Sequence, residues 1–116
     1  MSEYKYFSLD EFKCRETGEN EIKHEFVEKL DELRELCGFP FIITSGYRSP
    51  NHSIEKAKLN PGTHAQGIAC DISVTSGVDR MKLVKNAISL NFSGIGVAKD
   101  FVHVDIRESA SVMWAY

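Results

Sequence analysis

The sequence predicts a single α+β domain in which helices flank a small antiparallel sheet. Its 116 residues suit one domain and are too few for two. Segments with the spacing of amphipathic helices alternate with short runs rich in β-branched and aromatic residues. The last two of these runs are too close together for a crossover helix, so we expect them to pair antiparallel. The predicted domain therefore spans residues 1–116.

A short first turn and one long helix are predicted in the N-terminal third of the sequence. The turn is expected over residues 7–13. Asn20 can cap a helix of about 15 residues that ends at Cys37-Gly38. The positions expected on its apolar face are Ile22, Phe26, Val27, Leu30, Leu33 and Leu36.

Two further helices are predicted downstream. The first is short, covers residues 51–58 and precedes the turn Asn60-Pro61-Gly62. Ser76 with Asp79 resembles a capping box for the second, over roughly residues 79–90. Its expected apolar positions include Met81, Val84, Ala87 and Ile88.

The predicted strands place two candidate functional residues on the face opposite the apolar positions. Strands are expected at residues 41–45, 68–74, 94–98 and 101–107. Because successive side chains point to opposite faces of a strand, Asp71 and His103 both point away from the apolar positions. His64 lies in a loop that reaches the second strand through Gly67. Two imidazoles and one carboxylate can fill three positions of a zinc tetrahedron and leave the fourth for water. Each of these residues taken singly would more often be an ordinary polar residue.

Composition and charge exclude several classes of protein. The net charge is −3 and no basic stripe is present, so we expect no nucleic-acid partner. No segment approaches the ~20 apolar residues that span a bilayer, so we expect no membrane insertion. The N-terminus resembles no signal peptide, which predicts synthesis in the cytoplasm. The three cysteines predict no disulfide framework, and Cys70 is interpreted as a buried thiol. We expect a monomer.

Three motifs resemble a known family of zinc peptidases. His64-Ala-Gln-Gly-Ile-Ala-Cys-Asp71 is similar to the H-x-x-G-x-A-x-D motif of the zinc D-alanyl-D-alanine carboxypeptidases and L-alanyl-D-glutamate endopeptidases, whose fold the hedgehog zinc domain shares. Ser45-Gly-Tyr-Arg-Ser-Pro50 resembles their arginine-bearing loop, and residues 94–107 resemble their closing hairpin. The resemblance implies that His64, Asp71 and His103 bind Zn²⁺ and that Arg48 meets a substrate carboxylate or carbonyl. The alternative for Arg48 is a structural role in its loop.

The general base has two candidates in the sequence. Asp100 lies three residues before His103, an offset at which several family members place an acidic base. Asp105 shares the face of His103 by strand phase. It could instead form an ion pair with Arg107 or hold a zinc ligand in place by a hydrogen bond. We prefer Asp100, although the family base is often glutamate. Phe101 stands where some family branches carry a histidine.

Two residues near the C-terminus have two interpretations as well. Trp114 and Tyr116 most simply cover the edge of the core. The alternative is a platform for a sugar or a peptide.

The resemblance implies a zinc peptidase that cleaves the stem peptides of peptidoglycan, of the D-Ala-D-Ala carboxypeptidase or the L-Ala-D-Glu endopeptidase type. A short form with no signal peptide suits a phage or prophage lysis enzyme that acts at the bacterial wall after release or as a virion component. The alternative is a zinc-bearing module of the same fold that binds the wall or a protein without turnover.

Overall fold

The computed structural model of the chain describes residues 4–58 and 62–116, and it has the predicted α+β class. A 3-10 helix covers Leu9–Phe12, as expected of the first turn. The turn predicted at Asn60-Pro61-Gly62 lies, but for Gly62, outside the described residues. The helices and strands are α1 (His24–Cys37), β1 (Ile43–Ser45), α2 (Ser53–Lys56), β2 (Ala69–Ser73), α3 (Gly77–Ser89), β3 (Gly94–Val97), β4 (Phe101–Asp105) and β5 (Val112–Ala115).

The sheet is mixed, because its last strand runs parallel to its neighbour. The strand order is β1-β2-β4-β3-β5. The first three pairings are antiparallel, including the predicted β3–β4 hairpin. β5 was not predicted, and it pairs with β3 in parallel. Among the described strands, the β3–β5 pair is therefore the one that departs from the predicted antiparallel sheet.

Helix α1 begins four residues after its predicted cap. Asn20 accepts a hydrogen bond from the backbone of Ile22 instead, in a local turn. The segment after it is held extended, because the backbone N–H of Lys23 donates to the carbonyl of Gly67 at 2.8 Å. The helix then begins at His24 and ends at Cys37, as predicted, and Gly38 after it takes the left-handed conformation.

The apolar faces of the two long helices are narrower than predicted. Leu36 in α1 is exposed, as are Met81 and Ile88 in α3. The buried face of α3 is carried by Ala87, as predicted, and by Leu83, which was not among the predicted positions. The N-cap prediction holds, since the Ser76 side chain accepts a hydrogen bond from the backbone of Asp79.

The sheet separates the hydrophobic core from the face that carries the polar residues. Helices α1 and α3 pack together, and their buried side chains join those of the strands in one core. The strands contribute Ile43, Cys70, Ile72, Ile95, Val102 and Val104. Cys70 is therefore a buried thiol, as predicted, and burial raises its pKa well above the usual value. Among the described residues, no helix is long and apolar enough to cross a membrane.

Candidate metal centre

Asp71 and His103 lie directly opposite each other on neighbouring strands. The antiparallel register of β2 and β4 pairs Asp71 with His103, and pairs the core residues Cys70 and Val104 one step along. Because side chains alternate between faces, the first pair points to the side opposite the core. His103 Nδ1 lies 3.0 Å from Asp71 Oδ1. The structure thus brings these two residues together as their strand phase predicted.

His64 joins them from the loop before β2. Its Nε2 lies 3.4 Å from Asp71 Oδ1, and its Nδ1 lies 2.8 Å from the carbonyl oxygen of Gly46. Since a carbonyl oxygen can only accept, Nδ1 carries the hydrogen and Nε2 presents its lone pair toward Asp71. One ligand atom from each of His64, Asp71 and His103 lies within 4.8 Å of the others.

The close approach of the loop depends on Gly67. Its φ is 76°, in the left-handed region, and a Cβ there would lie 2.3 Å from the carbonyl oxygen of Glu21. A larger residue would push the loop away from the 21–23 segment and carry His64 with it.

Asp105 holds His103 from the side away from Asp71. Its Oδ2 lies 2.7 Å from His103 Nε2, and its carboxylate also accepts hydrogen bonds from the guanidinium and the backbone of Arg107. The side chain is fully buried. Burial alone would raise the pKa of Asp105, but the bonds from His103 and Arg107 outweigh it and lower the pKa well below the usual range. An ionised acceptor at Nε2 leaves Nδ1 as the nitrogen that faces Asp71.

The donor set fits a divalent zinc ion. Burial would raise the pKa of Asp71, yet the His103 and His64 imidazoles beside it outweigh burial and lower it to about 2. The pKa of His103 is raised, because its bonds to Asp105 and Asp71 outweigh the effect of burial. The group thus favours positive charge at its centre. Two nitrogens and one carboxylate oxygen are ligands that zinc prefers, and three ligands leave room for a fourth.

An open cavity of about 630 Å³ lies over these three residues. Arg48 is on its wall and places Nη1 3.3 Å from Glu55 Oε2. The remaining wall includes Lys58, Arg107, Phe101, Trp114 and Tyr116. A cavity of this size can admit a short peptide beside the candidate metal ligands.

The family model for peptidase M15 matches residues 5–105, which include all three candidate ligands and Arg48. The chain belongs to the peptidase M15 family. A search of curated proteins found no match. M15 peptidases are zinc-dependent metallopeptidases, which agrees with the donor set of the cavity and with the resemblance of the three motifs.

In the structure of this M15 peptidase, Asp100 does not lie with the candidate metal ligands. Asp100 is exposed in the β3–β4 connection, where its carbonyl accepts a hydrogen bond from Val74, and it does not line the cavity. Asp105 is close to His103 but fully buried, so its position matches the predicted partner of a zinc ligand. Among the described residues that line the cavity, Asp71 is the only one with an acidic side chain.

The C-terminal strand lies outside the family match and completes the cavity. Trp114 and Tyr116 line it, so the prediction that they cover the edge of the core is wrong. The Trp114 ring centroid lies 5.1 Å from that of His103. This approach needs Gly96, because a Cβ there would lie 2.6 Å from the indole nitrogen.

Three further residues of the M15 peptidase were missed by sequence reasoning. Gly94 and Gly96 leave space for Asp105 and Trp114, and their two-residue spacing on the face of His103 was the available signal. Glu55 is a buried acid that contacts Arg48. Its signal was an i,i+3 pairing with Lys58 in the predicted short helix.

Proposed function

We propose that this M15 peptidase cleaves the stem peptides of bacterial peptidoglycan with a zinc ion held by His64, Asp71 and His103. The observation that carries the proposal is the convergence of these three ligand atoms within 4.8 Å at the floor of an open cavity. A zinc ion held by these three residues would supply a Lewis acid for the scissile carbonyl and an activated water molecule at neutral pH.

The protein orients the ligands through their outer nitrogens. The carbonyl of Gly46 and the carboxylate of Asp105 hold His64 Nδ1 and His103 Nε2, so each ring turns its other nitrogen toward Asp71. Fixing the tautomer and the ring plane in this way raises metal affinity. Arg48 then binds a carboxylate or a carbonyl of the peptide from the cavity wall.

A carboxylate must also accept a proton from the attacking water and pass it to the leaving amine. We propose Asp100 for this role on its offset from His103 in the sequence; in the structure its neighbour Phe101, and not Asp100 itself, lines the cavity. Asp105 is the alternative. Its buried carboxylate is already occupied by His103 and Arg107, which favours a role in holding His103.

The proposed biological role is wall lysis by a phage or prophage enzyme. The protein would be made in the cytoplasm and would act at the bacterial wall after release or as a virion component. The bond is either that between the two D-alanines, cut by a carboxypeptidase, or that between L-alanine and D-glutamate, cut by an endopeptidase.

The decisive experiment is digestion of purified peptidoglycan by the zinc-loaded protein, with the released fragments identified by mass spectrometry. Free D-alanine would identify a carboxypeptidase, whereas a new N-terminal D-glutamate would identify an endopeptidase. His103→Ala is the control, and it should lose both zinc and activity. Zinc retained at full occupancy in this variant would refute the ligand assignment. Stable zinc binding by the wild type with no fragment released would favour a binding module that lacks turnover.

A further inference from the structure

Glu55 is a buried acid that belongs to none of the roles described so far. Only 1% of its side chain is exposed. Its Oε2 lies 2.8 Å from Lys58 Nζ and 3.3 Å from Arg48 Nη1, and its Oε1 accepts a hydrogen bond from the backbone of Gly62. Burial alone would raise its pKa, but the bonds from Lys58, Gly62 and Arg48 lower it. An ionised Glu55 therefore lies between two cations.

Both cations reach the cavity that holds the candidate metal ligands. Arg48 and Lys58 line its wall, and their side chains are 20% and 39% exposed. A guanidinium has five N–H donors and an ammonium has three, so one bond to Glu55 leaves donors on each. The backbone of Arg48 also donates to the carbonyl of His64, which ties this wall to a ligand.

The charges of Arg48, Lys58 and Glu55 do not balance within this cluster. One carboxylate neutralises one cation, and the second cation leaves a net positive charge at this part of the cavity wall. Two cations that share one carboxylate oxygen also repel each other. An anion that enters the cavity relieves that repulsion, and a carboxylate can accept from both side chains.

We propose that Arg48 and Lys58 form a two-cation anchor for a carboxylate of the substrate peptide, and that Glu55 is the positioning residue that holds them together. The inference rests on the proposed function and adds Lys58 and Glu55 to the recognition of the substrate. It implies that the enzyme selects peptides with a free carboxylate near the scissile bond over peptides in which that group is amidated.

The test compares two probes: a synthetic stem pentapeptide with free carboxylates and the same peptide fully amidated. KM, kcat and zinc content are measured for the wild type, Lys58→Met and Glu55→Gln, and calorimetry measures peptide binding in parallel. Lys56→Met is the matched control, because Lys56 is exposed in α2 and does not line the cavity.

For Lys58→Met we expect KM for the free peptide to rise about tenfold. A change of this size corresponds to the loss of one charge-assisted hydrogen bond at a partly exposed site. KM for the amidated peptide, kcat and zinc content should stay near those of the wild type. Lys56→Met should change none of these values. An equal KM for both peptides in the wild type, or no loss of preference in Lys58→Met, would overturn the anchor.

Glu55→Gln separates positioning from simple charge. If Glu55 positions the cations, its loss raises KM for the free peptide, and Glu55→Asp restores part of the preference. If Glu55 only competes with the substrate for the cations, removing its charge lowers KM, which refutes the positioning role. A Glu55→Gln variant that fails to fold leaves the decision to Lys58→Met.

Failure of the proposed function gives a different result. In that case the wild type binds zinc but cleaves neither peptide. Calorimetry then still tests the anchor, because the free peptide must bind the wild type more tightly than the amidated one does, and more tightly than it binds Lys58→Met. Equal binding in these comparisons refutes the anchor without reference to cleavage.

Discussion

Replacing Gly94 by alanine should loosen the support behind His103. Gly94 pairs with Asp105 across β3 and β4. A Cβ on Gly94 would lie 2.2 Å from both carboxylate oxygens of Asp105, far inside van der Waals contact. The carboxylate must therefore move, and its hydrogen bonds to His103 and Arg107 must lengthen or break.

The size of the effect follows from the burial of Asp105. Its side chain is fully buried, so a displaced carboxylate has no water to replace its partners. Breaking a buried ion pair costs about 3–5 kcal/mol, and overpacking alone costs about 1–3 kcal/mol. The two estimates describe overlapping changes, so we expect a loss of about 3 kcal/mol in the free energy of unfolding. Zinc affinity should fall by about ten- to a hundredfold, because a partner of a metal ligand is lost.

Urea unfolding with a chelator present measures the first effect without the contribution of bound zinc. Competition with a chromophoric chelator measures the second. Gly77→Ala is the control, because a Cβ there meets nothing within 4 Å. It should leave stability unchanged or raise it by up to about 1 kcal/mol. A Gly94→Ala protein within about 0.5 kcal/mol of the wild type, with unchanged zinc affinity, would refute this account of Asp105.

Three other predictions use the same site. Trp114 is the single tryptophan and its ring centroid lies 5.1 Å from that of His103, so zinc binding should change its fluorescence emission; an emission spectrum that does not respond to zinc would contradict the ligand role of His103. Arg48→Lys should lower activity while zinc content stays constant, because lysine lacks the bidentate fork, and wild-type rates would make Arg48 structural. Asp100→Asn should lower turnover by roughly two to four orders of magnitude with zinc bound, whereas Asp105→Asn should weaken zinc binding by about ten- to a hundredfold; the reverse pattern would make Asp105 the base.

The face on which Asp71 and His103 lie could be predicted because it depends on local rules, whereas their grouping with His64 was implied by the resemblance of the motifs. Strand alternation has a period of two residues, so the phase of Asp71 and His103 follows from their apolar neighbours alone. The cap at Ser76 and the end of α1 at Gly38 are equally local. Features that depend only on a residue's own strand or turn could therefore be predicted from the sequence.

The supports of the site could not be predicted, because they depend on which segments meet in space. The need for glycine at positions 94 and 96 follows only from the pairing of β3 with β4 on one side and with β5 on the other. Without that register, Trp114 had no assigned neighbour and was placed at the core edge. Asn20 does not cap α1 for the same reason. The segment after it is held extended by the hydrogen bond between Lys23 and Gly67, two residues that are 44 positions apart in the sequence.

The charge of the whole chain is a poor guide to what the cavity can bind. The net charge is −3, but much of the acidic excess lies on the exposed surface of α1, at Glu25, Glu28, Glu32 and Glu35. The cavity is lined by Arg48, Lys58 and Arg107, and Asp71 is the one described lining residue with an acidic side chain. Glu55 contacts Arg48 and Lys58 from behind the wall, and Asp105 contacts Arg107. Charges more than about 10 Å apart are largely screened at 0.1 M salt, so a substrate in the cavity responds to the charges around it and not to the net charge. An acidic protein can therefore offer an anionic wall peptide a local pair of cations, Arg48 and Lys58, that share the single carboxylate of Glu55. On this reasoning, adding salt should raise KM for the free-carboxylate peptide more than for the amidated one, and equal salt dependence of the two would contradict it.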